Sequence, residues 1–581
     1  MATVAEQFIE VLRQTGVERI YGVVGDSLNP VVDAIRKTGG VNGGIEWVHV
    51  RNEEAGAFAA AAEAQVTGRL AVCAGSCGPG NTHLLQGLYD AHRSGAPVLA
   101  LAAQIPSTQI GTGFFQETHP ERSFVECSHF CETIASPGQM PRVLRTAVQR
   151  AIGLGGVSVV VLSGDVADLD VPQSLGEHDL LTRTGTVIPP ADQVAELAAA
   201  LNRAEKVMLF CGAGTRHARD EVMALAGRTL APVGHALRGK EWIQYDNPYD
   251  VGMSGLLGYG SCYEAMHEAD LVVLAGTDFP YDDFLPGART VQIDHDAARL
   301  GRRTPLELAV HGDVGATVRA VLPHVTQKTD RRFLDRMLSR HVKALEDVVE
   351  AYTHDIGKHR PIHPEYVANL VDELAADDAV FTADTGMCTV WAARYLTPNA
   401  RRRVIGSFWH GSMANALPHA IGAQFTDRGR QVVSLSGDGG LAMLLGELLT
   451  VRQHDLPVKT VVFNNSSLGM VKLEMLVNGL PDHGTDNAPV DYAAIAAAAG
   501  IASLRVEDPA DVREALRTAF ATPGPFLLDV VTDPDVLAMP PHVSAGQVKG
   551  FALAAGKIVL TGGVGRMIDM ARANLRSVPR P

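Results

Sequence analysis

The stretch from Val432 to Met470 constrains this chain more than any other. It opens on an apolar run, Val432-Val433-Ser434-Leu435, of the kind that fills a buried parallel strand. Gly437-Asp438-Gly439-Gly440 follows, and its glycines let the backbone turn sharply and let a ligand come close. Leu441 to Val451 reads as a helix, and Val458 to Phe463 as a second buried strand ending in Asn464-Asn465. One strand–helix–strand unit brings the two strand ends side by side. Asp438 then supplies a carboxylate oxygen and Asn465, 27 positions later, a neutral amide oxygen. Two hard oxygens, with phosphate oxygens completing the shell, suit Mg2+, which seldom has an all-protein cage. Glycine amides at a helix start favour the same anion. The bland alternative is two ordinary strand-end turns. GDGG alone leaves that open, and the double asparagine at this spacing argues against it.

At 581 residues the chain is too long for one core, so two to four domains are expected. The net charge of −15 argues against nucleic acid as a partner, since neutralising phosphates needs a basic face. Seven scattered cysteines make no disulfide framework and point to a reducing cytoplasm. Cys127 and Cys131 lack a second ligand pair at zinc spacing and read as buried thiols. The N-terminus carries Glu6 and Glu10 where a signal peptide needs a basic start. It reads instead as an amphipathic helix with Val4, Phe8, Val11 and Leu12 on one face. No window is apolar enough for a transmembrane helix.

Apolar strands alternate with helical stretches throughout: Ile20 to Val24, Leu70 to Ala74, Val98 to Ala102 and Val157 to Leu162, then Val207 to Phe210, Leu271 to Leu274 and Val291 to Ile293, then Val380 to Thr382 and Phe526 to Val531. The alternation predicts an α/β fold of three doubly wound parallel-sheet domains, at 1–171, 191–327 and 361–535. Residues 172–190 read as a linker, Lys328 to Tyr352 as a charged helix, and 543–581 as a separate tail. Within the tail, Val564, Met567, Ile568, Ala571 and Leu575 fall on one helical face, away from Arg566, Arg572 and Arg576. Such a helix either anchors on an anionic lipid surface or docks on its own protein.

Further candidates lie at strand ends. Gly22 to Asp26 and Gly78 to Asn81 are turns where open α/β sheets place ligands. Glu53 and Glu54 start a helix of small residues, AGAFAAAAEA, whose close packing would bury one of them. The alternative is a solvated acid on the helix dipole. In the middle block, Gly252 to Gly258, Gly276 to Pro280 and the strand closing on Asp294 suit a dinucleotide, with Asp294 as the ribose partner. There is no complete GxGxxG there, only the fragment Cys211-Gly-Ala-Gly214.

GDGG, the intervening helix and strand, and then NN resemble the diphosphate motif of thiamin diphosphate (ThDP) enzymes. The resemblance implies that Asp438, Asn465 and the backbone carbonyl of Ser467 ligate the metal. It implies that Glu53 hydrogen-bonds N1′ of the aminopyrimidine and promotes loss of the thiazolium C2 proton. It implies that Phe115 and Gln116 line the substrate pocket, that the Gly411 carbonyl accepts from the 4′-amino group, and that Met413 bends the cofactor. Ala414, Asn415, Gly439, Gly440, Ser466, Leu468, Gly469 and Met470 complete the implied ThDP contacts. The runs Glu117 to Phe124, His235 to Gly258 and Trp409 to Pro418 are similar to the bacterial quinone-linked pyruvate oxidases.

That similarity implies pyrimidine-binding, FAD-binding and diphosphate-binding domains in chain order. FAD would lie on Ser254, Gly255, Leu256, Leu257, Gly276, Thr277, Asp278, Phe279, Pro280 and Asp294. ThDP and Mg2+ would lie between outer domains of neighbouring subunits in a homotetramer. The implied reaction turns pyruvate into acetate and CO2, with electrons passing through FAD to a membrane quinone. The implied location is the cytoplasmic face of the cell membrane. Acetohydroxyacid (acetolactate) synthase and the phosphate- and oxygen-dependent pyruvate oxidase are the nearest alternatives, and a non-catalytic nucleotide-binding scaffold a distant one. Two departures stand out: Asn52 where many relatives have histidine, and Met470 where the family has an aromatic residue that aids electron transfer; Glu474 matches.

Overall fold

The computed structural model describes residues 2–171, 184–353, 359–538, 545–560 and 564–574, so most of the expected linker lies outside the described residues. Three sheets form. The first has six parallel strands in the order Glu46–His49, Arg19–Gly22, Ala71–Gly75, Val98–Gln104, Val157–Ser163 and Phe130–Ile134. The third runs Arg403–Gly406, Val380–Ala383, Val432–Gly437, Lys459–Asn464, Phe526–Val531 and Ala502–Val506. Numbered within each sheet, both orders read 2-1-3-4-6-5. Helices cover both faces, so strands such as Val98–Gln104 and Val157–Ser163 are buried at every residue. The strand order reverses beside the first strand, which opens a crevice at the carboxyl ends. Asp384 and Asp438 stand at that crevice in the third sheet.

The middle sheet has seven strands, in the order Tyr259–Gly260, Asp250–Met253, Val233–His235, Val207–Cys211, Leu271–Ala275, Arg289–Asp294 and Leu308–His311. All run parallel except the two-residue edge strand Tyr259–Gly260. The N-terminal helix, Val4–Gln14, buries Val4, Phe8, Val11 and Leu12 and starts in a Thr3–Glu6 capping box. Burial pushes the Cys127 and Cys131 thiols up to about 12, so both stay protonated.

The outer domains meet along two helices. Glu53–Thr67 is almost wholly buried, and it lies against Ala416–Thr426, which is buried on every side. A Cβ on Gly422 would sit 2.0 Å from the Ala59 carbonyl oxygen, so only glycine permits this crossing. His419 and Asp90, both fully buried, meet across the seam at 3.0 Å. Glu447 accepts from the amides of Arg51 and Asn52, each at 3.0 Å. That contact corrects the expected single helix Leu441 to Val451. Two short helices form, Asp438–Met443 and Glu447–Gln453, and the break sets Glu447 at a fresh helix start facing the N-terminal domain.

Lys328 to Tyr352 is helical over Arg332–Ala344 and then loosens into a π turn, Leu345–Val349. The tail forms Ala545–Leu560 and Val564–Asn574, and both helices dock on the protein itself. Ala554, Ile558 and Met570 bury against Leu473 and Leu476, and Gly550 lets its helix cross over the Val477 carbonyl. The expected apolar face is rotated. Met570 and Ala573 are buried, Met567 is half-buried, and Ile568 and Ala571 are exposed. Asn574 sets this rotation by donating to Asp535 O and accepting from Leu537 N. The side chain of Val564 and all of Leu575 lie outside the described residues. No helix among the described residues is long and apolar enough to cross a membrane.

Candidate active site

Parallel pairing sets Gly437 opposite Phe463, so the turn bearing Asp438 and the turn bearing Asn465 are neighbours. Asp438 is 3% exposed, and burial raises its carboxyl above the usual range. Asn487 donates to its Oδ2 at 3.1 Å, and Tyr492 donates to its backbone carbonyl at 2.9 Å. The two asparagines have separate roles. Asn464 donates to Asp529 and to the Val490 carbonyl, both at 2.9 Å, and holds the sheet end. Asn465 borders the cavity, and its Oδ1 accepts from Ser467 N at 3.0 Å. Ser466 takes a left-handed φ of 51° to turn this corner.

Beneath the turn lies Asp384, fully buried, with its carboxyl pushed up to about 7 by desolvation. A Cβ on Gly440 would stand 1.7 Å from its Oδ2. Asn415 donates to Asp384 Oδ1 at 3.1 Å and to Ser412 O at 2.7 Å, and accepts from Ser407 N at 3.2 Å. These bonds shape the loop carrying Gly411, Met413 and Ala414, where Gly411 and Ala414 have φ of 76° and 69°. Asp438, Asn465 and room above the glycine turn fit a magnesium-bound diphosphate. The buried Ser467 hydroxyl, without a hydrogen-bond partner among the described residues, fits it too.

Asp438, Asn465, Ser467, Gly439, Gly440, Gly411, Met413, Leu468, Gly469, Met470 and Glu474 line one cavity of about 520 Å³. Ser254, Leu256, Leu257 and Gly276 to Pro280 of the middle domain line the same cavity. Gly255, Asp294, Ala414, Asn415 and Ser466 are not on its wall. In the middle domain the backbones at Gly214 and Gly276 touch, as a dinucleotide turn requires. Asp294 Oδ2 and Ser254 Oγ are buried without hydrogen-bond partners among the described residues, which fits the hydroxyl-rich chain of FAD.

Glu53 sits elsewhere. It is the buried acid of its pair, at 6% exposure, with Glu54 half-buried. Asn52 caps the helix, accepting from Glu54 N at 2.9 Å. Glu53 Oε2 lies 3.0 Å from His83 Nδ1, and a Cβ on Gly80 would come within 2.9 Å of its Oε1. Phe115 is 77% exposed, and Gln116 has a left-handed φ of 62°. Both border a different cavity, of about 470 Å³, with Asp26, Ser27 and Cys77. Glu53, Phe115 and Gln116 are absent from the wall of the cavity that holds Asp438.

Three family descriptions match the three sheets in order. They are thiamine pyrophosphate enzyme N-terminal binding domain at residues 2–123, central domain at 194–321, and C-terminal binding domain at 384–530. The chain belongs to the thiamine pyrophosphate enzyme family. YdaP of Bacillus subtilis, a candidate thiamine pyrophosphate-containing protein, is 34% identical over 95% of both chains. A pyruvate oxidase of Lactiplantibacillus plantarum is 31% identical over 91% of this chain and 88% of its own. An acetolactate synthase large subunit of Parasynechococcus marenigrum is 30% identical over 90% and 87%.

Sequence reasoning passed over Asp384, Asn487, Tyr492 and His83 of this thiamine pyrophosphate enzyme. Asp384 carried a usable signal, an acid closing a strand one residue before Thr385-Gly386. Asn487 and Tyr492 carried none, because they reach Asp438 from a loop about fifty residues away.

Proposed function

We propose that this enzyme oxidatively decarboxylates pyruvate to acetate and CO2, passing electrons through FAD to a membrane quinone. The observation that carries the reading is the single cavity walled by Asp438 and Asn465 on one side and by Ser254 and Gly276 to Pro280 on the other. A diphosphate site and a dinucleotide site with a common wall suit transfer between two cofactors. The balance is pyruvate and water going to acetate, CO2, two protons and two electrons.

Bound thiamin diphosphate would supply the carbon nucleophile and the electron sink. Asp438, Asn465 and the Ser467 carbonyl would hold Mg2+, and Met413 would prop the bent cofactor from the loop that Asn415 shapes. Glu53 would hydrogen-bond the aminopyrimidine from its buried place at the helix start, while Phe115 and Gln116 would close over pyruvate. Because none of these three residues lines the cavity of Asp438 in one chain, and Phe115 and Gln116 border another, they would come from a second copy, as in a homotetramer. Asp294 and Ser254 would bind the FAD hydroxyls, and Met470 and Glu474, on the wall of the shared cavity, would stand between the cofactors. Leu553, Val559, Leu560 and Ile568 are exposed on the tail helices and would meet an anionic lipid surface near the quinone.

Anaerobic incubation with pyruvate tests the reading. Flavin bleaching with stoichiometric acetate supports it. Acetolactate without bleaching would make the enzyme a synthase, as the 30% identical relative is named. Acetyl phosphate formed only when phosphate is added would make it a phosphate-dependent oxidase.

A further inference from the structure

We infer that His83 is the proton-relaying partner of Glu53, a positioning residue that carries the exchange between the buried carboxyl and solvent. The inference rests on the reading of Glu53 given above. Glu53 is buried, and His83 Nδ1 at 3.0 Å is its one side-chain hydrogen-bond partner among the described residues. A buried carboxyl that must take up and release protons needs a path to water. Asn52 cannot supply it, because an amide does not titrate and its oxygen is committed to the Glu54 amide. Gly80 cannot either, and its lack of a side chain is what leaves space beside Glu53 Oε1.

His83 meets the geometric requirement. It ends the short helix Pro79–His83 that follows strand Ala71–Gly75, at the carboxyl edge of the first sheet. Its side chain is 49% exposed, so one ring nitrogen faces the carboxyl while Nε2, with no partner among the described residues, can reach water. In the transfer, the neutral ring carrying its proton on Nδ1 donates it to the Glu53 carboxylate while Nε2 takes a proton from hydronium in the solvent, leaving a carboxylic acid, the Nε2–H tautomer and water. The reverse sequence discharges Glu53.

The charges around the ring are few. Helix Glu53–Thr67 presents Glu53 and Glu54; burial raises the Glu54 carboxyl above its usual range, and positive charge on His83 opposes this. Strand Ala71–Gly75 presents only the buried, protonated Cys73. Helix Leu85–Ser94 turns Asp90 to His419, Tyr89 to Glu126 and His92 to His129, and carries exposed Arg93 near its end.

Two measurements test this on the full chain. In cofactor-free protein, carbethoxylation of His83 by diethyl pyrocarbonate at fixed pH, read by peptide mass spectrometry, reports the carboxylate that polarises the ring through Nδ1. Glu53→Gln removes that carboxylate and slows the reaction roughly 2-fold or more. In protein loaded with ThDP and Mg2+, His83→Ala slows deuterium exchange at C2 by at least ~10-fold. Added imidazole restores the exchange; cofactor affinity and sedimentation stay as in wild type, and His83→Asn behaves as the alanine variant does. An unchanged carbethoxylation rate in Glu53→Gln overturns the inference, and so does wild-type exchange in His83→Ala beside slowed exchange in Glu53→Gln. Wild-type exchange in Glu53→Gln itself overturns the reading of Glu53, and the relay with it.

Discussion

Replacing Gly422 by alanine tests how the two outer domains are held. The new Cβ would lie 2.0 Å from the Ala59 carbonyl oxygen and 2.7 Å from the Ala59 carbonyl carbon and Cα. All three are backbone atoms of a buried helix, so no side chain can swing aside. A tolerated carbon–oxygen contact is about 3.3 Å, so the helices must part by roughly 1.3 Å. Parting them strains the His419–Asp90 pair and the Glu447 bonds to the Arg51 and Asn52 amides. Overpacking of this kind costs about 1–3 kcal/mol. At about 2–4 °C per kcal/mol for domains of this size, the melting temperature should fall by roughly 2–12 °C. Differential scanning fluorimetry on the cofactor-free protein reads it. Gly556→Ala is the control, because nothing lies within 4 Å of the place its methyl would take. A Gly422→Ala protein that melts within a degree of wild type would refute the argument that backbone contact, rather than side-chain packing, sets this seam.

Other tests follow from the site. Asp384 has its carboxyl raised from 3.8 to about 7, so the folded protein holds a proton that the unfolded chain has already lost above pH 4. Its contribution to stability therefore falls as pH rises from about 4 through 7. Asp384→Asn should gain on wild type across that window, on the order of 4 kcal/mol at most; urea midpoints that keep the same difference at pH 5 and pH 8 would exclude this. Gly440→Ala drives a methyl into Asp384 and should abolish magnesium-dependent ThDP binding, seen as lost fluorescence quenching, while FAD content holds. Removing residues beyond Pro541 should abolish pyruvate-dependent cosedimentation with anionic vesicles. Equal sedimentation of the truncated protein would show that the tail helices only brace Leu473 and Leu476.

The three-sheet fold was legible because strands buried on both faces are continuous apolar runs, as Val98–Gln104 and Val157–Ser163 are. The glycine turn and the asparagine pair were legible because one short crossover brings them together. What stayed hidden depends on distant partners. Gly446 alone marks the break before Glu447 locally, and the reason for the break is a contact with Arg51 nearly four hundred residues earlier. The rotated tail face depends on Asn574 finding Asp535 and Leu537. Helix Ala416–Thr426 shows no amphipathic period because the N-terminal domain covers the side that would otherwise face water. His83 went unremarked because its meaning lies in a carboxyl thirty positions away.

The adjacent asparagines teach a caution about saturation mutagenesis. Asn464 is knotted to Asp529 and Val490, whereas Asn465 looks into the cavity. A growth-based screen would score both positions as equally intolerant. The first failure is one of thermal endurance, and on the function proposed above the second is one of metal uptake in a chain that still folds; only a melting curve paired with a magnesium titration tells the twins apart.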